Sequence, residues 1–220
     1  GTWHEADDYV IMFPECKARE DAEEERARRV ALEDRRAALA TAVKEPVPHV
    51  EGPLPATIAI GVETTGLRGW SDHLLTVGIV DGDGAEVASF KICPPPQCYE
   101  WPEAEEVNGI APADTVTWPA IEDVRPELQR ILDAAEVVIG YNVGLDIEFL
   151  RAAGIALPDC DYVDVMAMFA PVFGLRDDYH GGYRWQRLAT AAAYVGHDWD
   201  AEGAHNALAD CRATLAVLRW

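Results

Sequence analysis

From residue 56 onward the apolar positions fall first in short runs and later at helical spacing. Thr57–Ile60 is a brief β-branched run that predicts a buried strand, and His73–Val80 and Ala85–Cys93 predict two more. Between the last two, Asp81-Gly82-Asp83-Gly84 has the make-up of a tight hairpin turn. Pro119–Ala134 carries Ile121, Val124, Leu128, Ile131 and Leu132 on one helical face, with Pro126 set to kink the helix or delay its start. Glu136–Gly140 predicts a compact strand, followed by a helix over Val143–Ala153. Asp161–Val163 predicts a short strand entering a helix through Met168, and Trp185–Val195 and His205–Leu218 predict two closing helices. A three-strand meander followed by strands alternating with helices predicts an α/β domain with a mixed sheet.

The first 45 residues follow another pattern. From about Pro14 to Glu45 the chain predicts one charged helix, rich in Ala, Glu and Arg, with pairs such as Glu24–Arg28 and Glu25–Arg29 at i,i+4. Its apolar stripe of Ala22, Val30, Leu39 and Val43 is thin, as expected of a solvated or loosely docked helix; a partner-binding or coiled-coil arm is the alternative. Pro46, Pro48, Pro53 and Pro55 stop the helix and predict an extended linker. The expected organisation is a helical arm over 1–45, a linker over 46–55 and a domain over 56–220.

Charge narrows the choice of partner. Thirty-nine acids face 18 bases, a formal net of −21, and Lys17, Lys44 and Lys91 are the only lysines. A broad, sequence-independent grip on duplex DNA needs a basic face, so this composition speaks against one. It permits short substrates held through metal ions, or a partner that brings its own basic surface. A bland origin in the general composition of the source is also open. No apolar run approaches the ~20 residues of a membrane span, and Gly1–Phe13 lacks the basic start and apolar stretch of a signal peptide. Five cysteines without a C-x-x-C pair predict reduced thiols and a cytosolic location. Cys93 and Cys98 are spaced too loosely, with no histidine nearby, for a zinc site.

Three segments carry candidate chemistry. The first is Ile58-Ala-Ile-Gly61-Val62-Glu63-Thr64-Thr65-Gly66-Leu67, with an acid at a strand end. The second, Ile139-Gly-Tyr-Asn142-Val-Gly-Leu-Asp146, places Asn and Asp just past a strand, at a helix start. The third, His205-Asn-Ala-Leu-Ala-Asp210, opens the last helix. Each has a plain reading alone: a polar strand end, a helix cap, surface polars on an amphipathic helix. In this order and on these elements the three together resemble the motifs of the DEDDh exonucleases, the family of the proofreading subunit of bacterial DNA polymerase III and of oligoribonuclease. The resemblance runs from about Ala56 to the end of the chain.

That resemblance implies an RNase H-like fold, two divalent cations (Mg²⁺ or Mn²⁺), and release of nucleoside monophosphates from 3′ ends of single-stranded or frayed DNA or RNA. It makes Glu63, Asp146 and Asp210 metal ligands and His205 the general base. Thr64, Thr65 and Leu67 would meet the terminal nucleotide, with Asn108 and Asn142 also on the substrate side. The chemistry suits these residue types. Hard cations prefer carboxylate oxygens, two of them about 3.5–4 Å apart can activate water and stabilise the leaving oxygen, and a histidine titrates near neutrality.

One position departs from the family. An aspartate is expected two residues before Glu63, and Gly61 stands there. Strand residues two apart share a face, so Val62 cannot substitute. The second cation site is expected to be weakened, with a loss of order 10²–10⁴ in rate. An engineered inactivation, a natural inactive homologue and a one-metal enzyme all stay open, and the survival of the other four polar residues favours an isolated change. A second departure is Leu145, where relatives often carry an aromatic. The competing function is a catalytically silent module that binds nucleic-acid ends or a partner, with the N-terminal helix as its docking arm. Trp101, Trp118, Trp185 and Trp199 are expected in packing roles, and Arg184 and Arg187 at a solvated helix end.

Overall fold

A computed structural model describes residues 5–177, 179, 181–199 and 206–220, with the backbone alone over 5–16. The chain divides into two compact units, Gly1–Ala42 and Val43–Trp220. The first is a single helix, α1 (Glu5–Thr41), which begins well before Pro14, the expected start. Arg28 pairs with Glu24 one turn away along it.

The second unit is built on one five-stranded sheet in the order β3-β2-β1-β4-β5. The strands are β1 (Thr57–Thr64), β2 (Leu74–Asp81), β3 (Glu86–Lys91), β4 (Val137–Gly140) and β5 (Asp161–Asp164). The first three form the antiparallel meander, while β4 runs parallel to β1 and β5 parallel to β4. This is the RNase H-like mixed sheet that the sequence predicts.

The helices are α2 (Pro102–Asn108), α3 (Ile121–Asp133), α4 (Val143–Ala152), α5 (Val165–Phe173), α6 (Leu188–Val195) and α7 (Ala207–Arg219). Alternation along β1 sorts the core into two layers. Ile58 and Ile60 join Val124, Leu128, Ile131 and Phe149 on the α3/α4 side. Ala59 points the other way, to Val165, Phe169, Leu208 and Cys211 on α5 and α7.

Several boundaries differ from the expectation. Pro126 lies inside α3 without ending it. A short helix, α2, was not legible; Pro102 at its first turn and Gly109 in the left-handed conformation at its end mark it. The last-but-one helix begins at Leu188 rather than Trp185. The proline-rich 46–55 stretch is extended, yet Val47, Val50 and Leu54 pack on the core. Glu127 accepts from the Val50 amide (2.8 Å) and Arg130 donates to the Val50 carbonyl (2.7 Å), so this stretch is clamped to α3. Among the tryptophans, Trp101 and Trp118 are buried, whereas Trp185 is 67% exposed.

Candidate active site

Three elements deliver one carboxylate each to a single cavity of about 820 Å³. Glu63 comes from the end of β1, where the register with β2 slips between Glu63 and Thr64. Asp146 sits in the first turn of α4 and Asp210 in the first turn of α7. Glu63 and Asp146 are buried, at 9% and 7% exposure.

The approach to Asp146 is built from backbone conformation. Asn142 holds a left-handed φ of 64°, rare for a residue other than glycine. Its amide donates to Asp164 (3.1 Å), which also caps α5 through the amides of Met166 and Ala167. Asp146 then stands over β4, with a carboxylate oxygen 3.0 Å from where a Cβ on Gly140 would lie. At α7, the Asn206 side chain caps the helix by accepting from the amides of Leu208 and Ala209 (3.1 and 3.3 Å).

The carboxylates strain against one another. Burial, and then the charge of Asp210, push Glu63 up to about 8. Burial, followed by Asp164, Glu63 and Asp210, holds Asp146 well above the usual carboxylate range, against one amide donor at Val62. Among the described residues, no basic side chain figures among the causes acting on either group. Cys211, buried beside them, has its thiol pushed up by burial and by Asp146 and Asp210, and it donates to the Gly78 carbonyl.

Glu63 and Asp146, both buried, and the half-buried Asp210 form a donor set suited by chemistry to one hard cation. Among the described residues, however, no three His, Cys, Asp or Glu side chains are grouped closely enough to hold an ion as they stand. At Gly61 no donor is present, and space for one is tight. A Cβ there would lie 3.0 Å from the Ala207 carbonyl oxygen and 3.3 Å from Cys211 Sγ. Its cross-strand partner is Gly78, where a Cβ would lie 2.7 Å from Ala207 C and Leu208 N. Two facing glycines thus let the first turn of α7 sink onto the sheet.

The expected substrate residues separate into groups. Thr64, Thr65, Leu67 and Asn108 line the same cavity as the acids. Leu67 is 79% exposed at its mouth. The polar groups of the turn are engaged internally: Asn108 Nδ2 donates to the Thr64 carbonyl (3.1 Å), Thr65 N to the His73 carbonyl (2.9 Å) and His73 N to Thr65 Oγ1 (2.9 Å). Those bonds fix the shape of the 64–73 turn. Asn142 is outside the cavity lining, at the start of α4. Leu145 lines the cavity. His205 lies outside the described residues.

Sequence reasoning missed Tyr141 and Arg68. Tyr141 lines the cavity and its hydroxyl donates to the Gln186 carbonyl (2.8 Å). Arg68 is the one basic side chain among the described lining residues, and its guanidinium stands 5.8 Å from the ring centre of Trp70, itself 78% exposed. An arginine directly after the Thr-Thr-Gly-Leu run was the available signal.

The chain is similar to several known exonucleases. An exonuclease of Escherichia phage 186 is 27% identical over 172 residues, which cover 73% of this chain and 85% of that one. The DNA polymerase III subunit epsilon of Treponema pallidum is 27% identical over 170 residues, 74% of each. Among solved structures, E. coli exonuclease I in complex with an oligonucleotide superposes with a TM-score of 0.59 at 19% identity over 73% of this chain. This chain spans 39% of that protein. Exonuclease X in complex with 5′ overhanging duplex DNA superposes with a TM-score of 0.54 at 21% identity, covering 74% of this chain and 88% of that one. A family model described as exonuclease matches residues 58–218, so the chain belongs to the RNase T family of exonucleases.

Proposed function

We propose that this chain is a metal-dependent 3′→5′ exonuclease domain acting on single-stranded or frayed ends of DNA or RNA, slowed by Gly61. The observation that carries the reading is the meeting of Glu63, Asp146 and Asp210, from three separate elements, in one cavity. Mutual repulsion among buried acids is costly unless a cation joins them. In this reading they hold Mg²⁺ or Mn²⁺, which supplies an activated water and a charge sink at the scissile phosphate. Gly61 leaves the second of the family's two cations without its main protein ligand. His205, five residues before Asp210, takes the proton from the attacking water. Leu67, standing out at the cavity mouth, wedges against the terminal base, and Arg68 faces phosphate. Cys160 and Cys211 form no disulfide, and a reducing, cytosolic setting is part of this reading. No helix among the described residues is long and apolar enough to cross a membrane. The charged helix α1 is the candidate arm for a protein partner.

A second reading has one observation in its favour. The close approach of Ala207 to Gly61 supports a site closed around the missing ligand, as in a silent module that binds nucleic-acid ends. A 5′-labelled single-stranded oligonucleotide with Mn²⁺ separates the two. Progressive shortening that strengthens in Gly61→Asp and vanishes in Asp146→Asn supports the exonuclease. Silence in both the unaltered chain and Gly61→Asp sinks it and leaves the binding module. Immediate release of labelled mononucleotide would reverse the direction.

A further inference from the structure

Between α5 and α6 the described residues 174–177, 179 and 181–187 include a short antiparallel ribbon. Arg176 and Tyr183 bridge antiparallel across it. The Arg184 amide donates to the Leu175 carbonyl (2.8 Å) and the Asp177 amide to the Gly182 carbonyl (3.2 Å). Gly181 and Gly182, at φ 77° and 84°, close its tip in a conformation that other residues resist. The base is tied to the candidate active site. Gln186 accepts the Tyr141 hydroxyl, and Leu188, just beyond, lines the cavity with Tyr141.

The ribbon brings exposed rings and bases together. Tyr179 is 90% exposed, Trp185 67% and Tyr183 39%. Arg176, Arg184 and Arg187 are all exposed among these rings, and Arg176 stands 5.2 Å from the Tyr183 ring centre. Asp177 and Asp178 are the only acids in 174–187, and Asp177 is engaged with the Tyr179 amide (3.1 Å). On a molecule of net charge −21, this is a stretch where bases outnumber acids and aromatics interleave with them. Tyr179 and Trp185 thus present their rings to water rather than to the core. Flat rings that accept a nucleobase face and guanidinium groups that meet phosphate are together the two components of sequence-tolerant single-strand binding.

We propose that the 174–187 ribbon is a binding track for single-stranded nucleic acid leading away from the active-site cavity, with Tyr179 and Trp185 stacking on bases and Arg184 and Arg187 meeting phosphates. The track rests on the nucleic-acid reading of the cavity, and it gives an acidic chain a strip of bases beside the site with which to meet a polyanionic ligand.

The test is anisotropy of a 5′-fluorescent oligothymidylate with the whole chain in EDTA, which keeps cleavage and metal bridging out of the measurement. Trp185→Ala and Tyr179→Ala should each weaken binding roughly 10- to 100-fold with an unchanged salt slope. Arg184→Ala should reduce the slope of log affinity against log salt by about one. Arg29→Ala, an equal charge change on α1, should move neither. Circular dichroism melting confirms that these exposed positions leave the fold intact. Ribbon variants that bind like the unaltered chain overturn the proposal even if the chain degrades DNA, as does a chain with no measurable affinity at low salt. Ribbon variants that lose binding while neither the chain nor Gly61→Asp cuts leave the track standing and remove the exonuclease reading.

Discussion

At the scale of single residues, the informative positions are the two glycines under α7. Gly78 is held to its identity by backbone: an added Cβ would lie 2.7 Å from Ala207 C. Gly78→Ala should therefore cost about 1–3 kcal/mol through overpacking, measurable by urea unfolding. An unchanged midpoint would show that α7 shifts freely. Gly61 meets a looser limit, 3.0 Å to the Ala207 carbonyl oxygen, so aspartate there needs only a few tenths of an ångström of movement. Gly61→Asp should raise the Mn²⁺-dependent rate by a factor of order 10²–10⁴. The acids make a separate prediction about pH. Glu63 is raised from 4.5 to about 8, so the folded state holds its proton more tightly than the unfolded chain does. Stability from this group is fully present below pH 4.5 and is lost as pH rises through about 8, and Asp146 is shifted in the same direction. Metal-free protein should lose melting temperature over that window. Mn²⁺ should restore several degrees at pH 8 and far less at pH 5. A cation effect equal at both pH values would mean that these carboxylates do not hold it.

At the scale of elements, the strands and the helices that carry the acids were legible because their signals are local. Ile58–Ile60, Val137–Gly140 and the run from Val143 announce themselves by short apolar stretches and spacing. The convergence of Glu63, Asp146 and Asp210 was legible only through family resemblance, since no periodicity brings β1, α4 and α7 together. Two features were lost for physical reasons. The α2 helix is a single exposed pair of turns with no buried residue, so it leaves no apolar pattern to read. Trp185 was expected to pack because large rings usually do, and the ribbon breaks that rule. The elements also depend on Asp164, which ties the left-handed Asn142 to the cap of α5. Asp164→Ala should cost about 1–2 kcal/mol and loosen the entry of α4, seen as faster amide exchange at Val143 to Leu145. Exchange unchanged there would assign Asp164 to α5 alone.

At the scale of the whole chain, the boundary at residue 56 expected from prolines is not where the compact unit begins. Val43–Trp220 forms that unit, and 46–55 is held to it by Val47, Val50, Leu54 and the Glu127–Arg130 clamp. A fragment starting at residue 43 should melt as a cooperative domain, whereas one starting at residue 56 should lose roughly 3–5 kcal/mol of buried apolar surface. Equal stability of the two fragments would return 46–55 to the status of a linker. The Arg130 guanidinium, bonded to Glu127, is the first cause holding that carboxyl down at about 2, with the Val50 amide and His49 adding to it. The clamp therefore contributes above the unfolded carboxylate value and is lost only as pH falls from about 4.5 through about 2.

The gap above Gly61 has a further consequence, on the scale of heredity rather than structure. Glycine and aspartate codons ending in a pyrimidine differ only in their middle base. The backbone there already points toward Glu63's side of the sheet, and its neighbours leave almost enough room for a Cβ. On the proposed reading, slowed and full activity in this domain would then be separated by one base change, with no other part of the chain needing to be rewritten. A library selected for nuclease activity should find that change first.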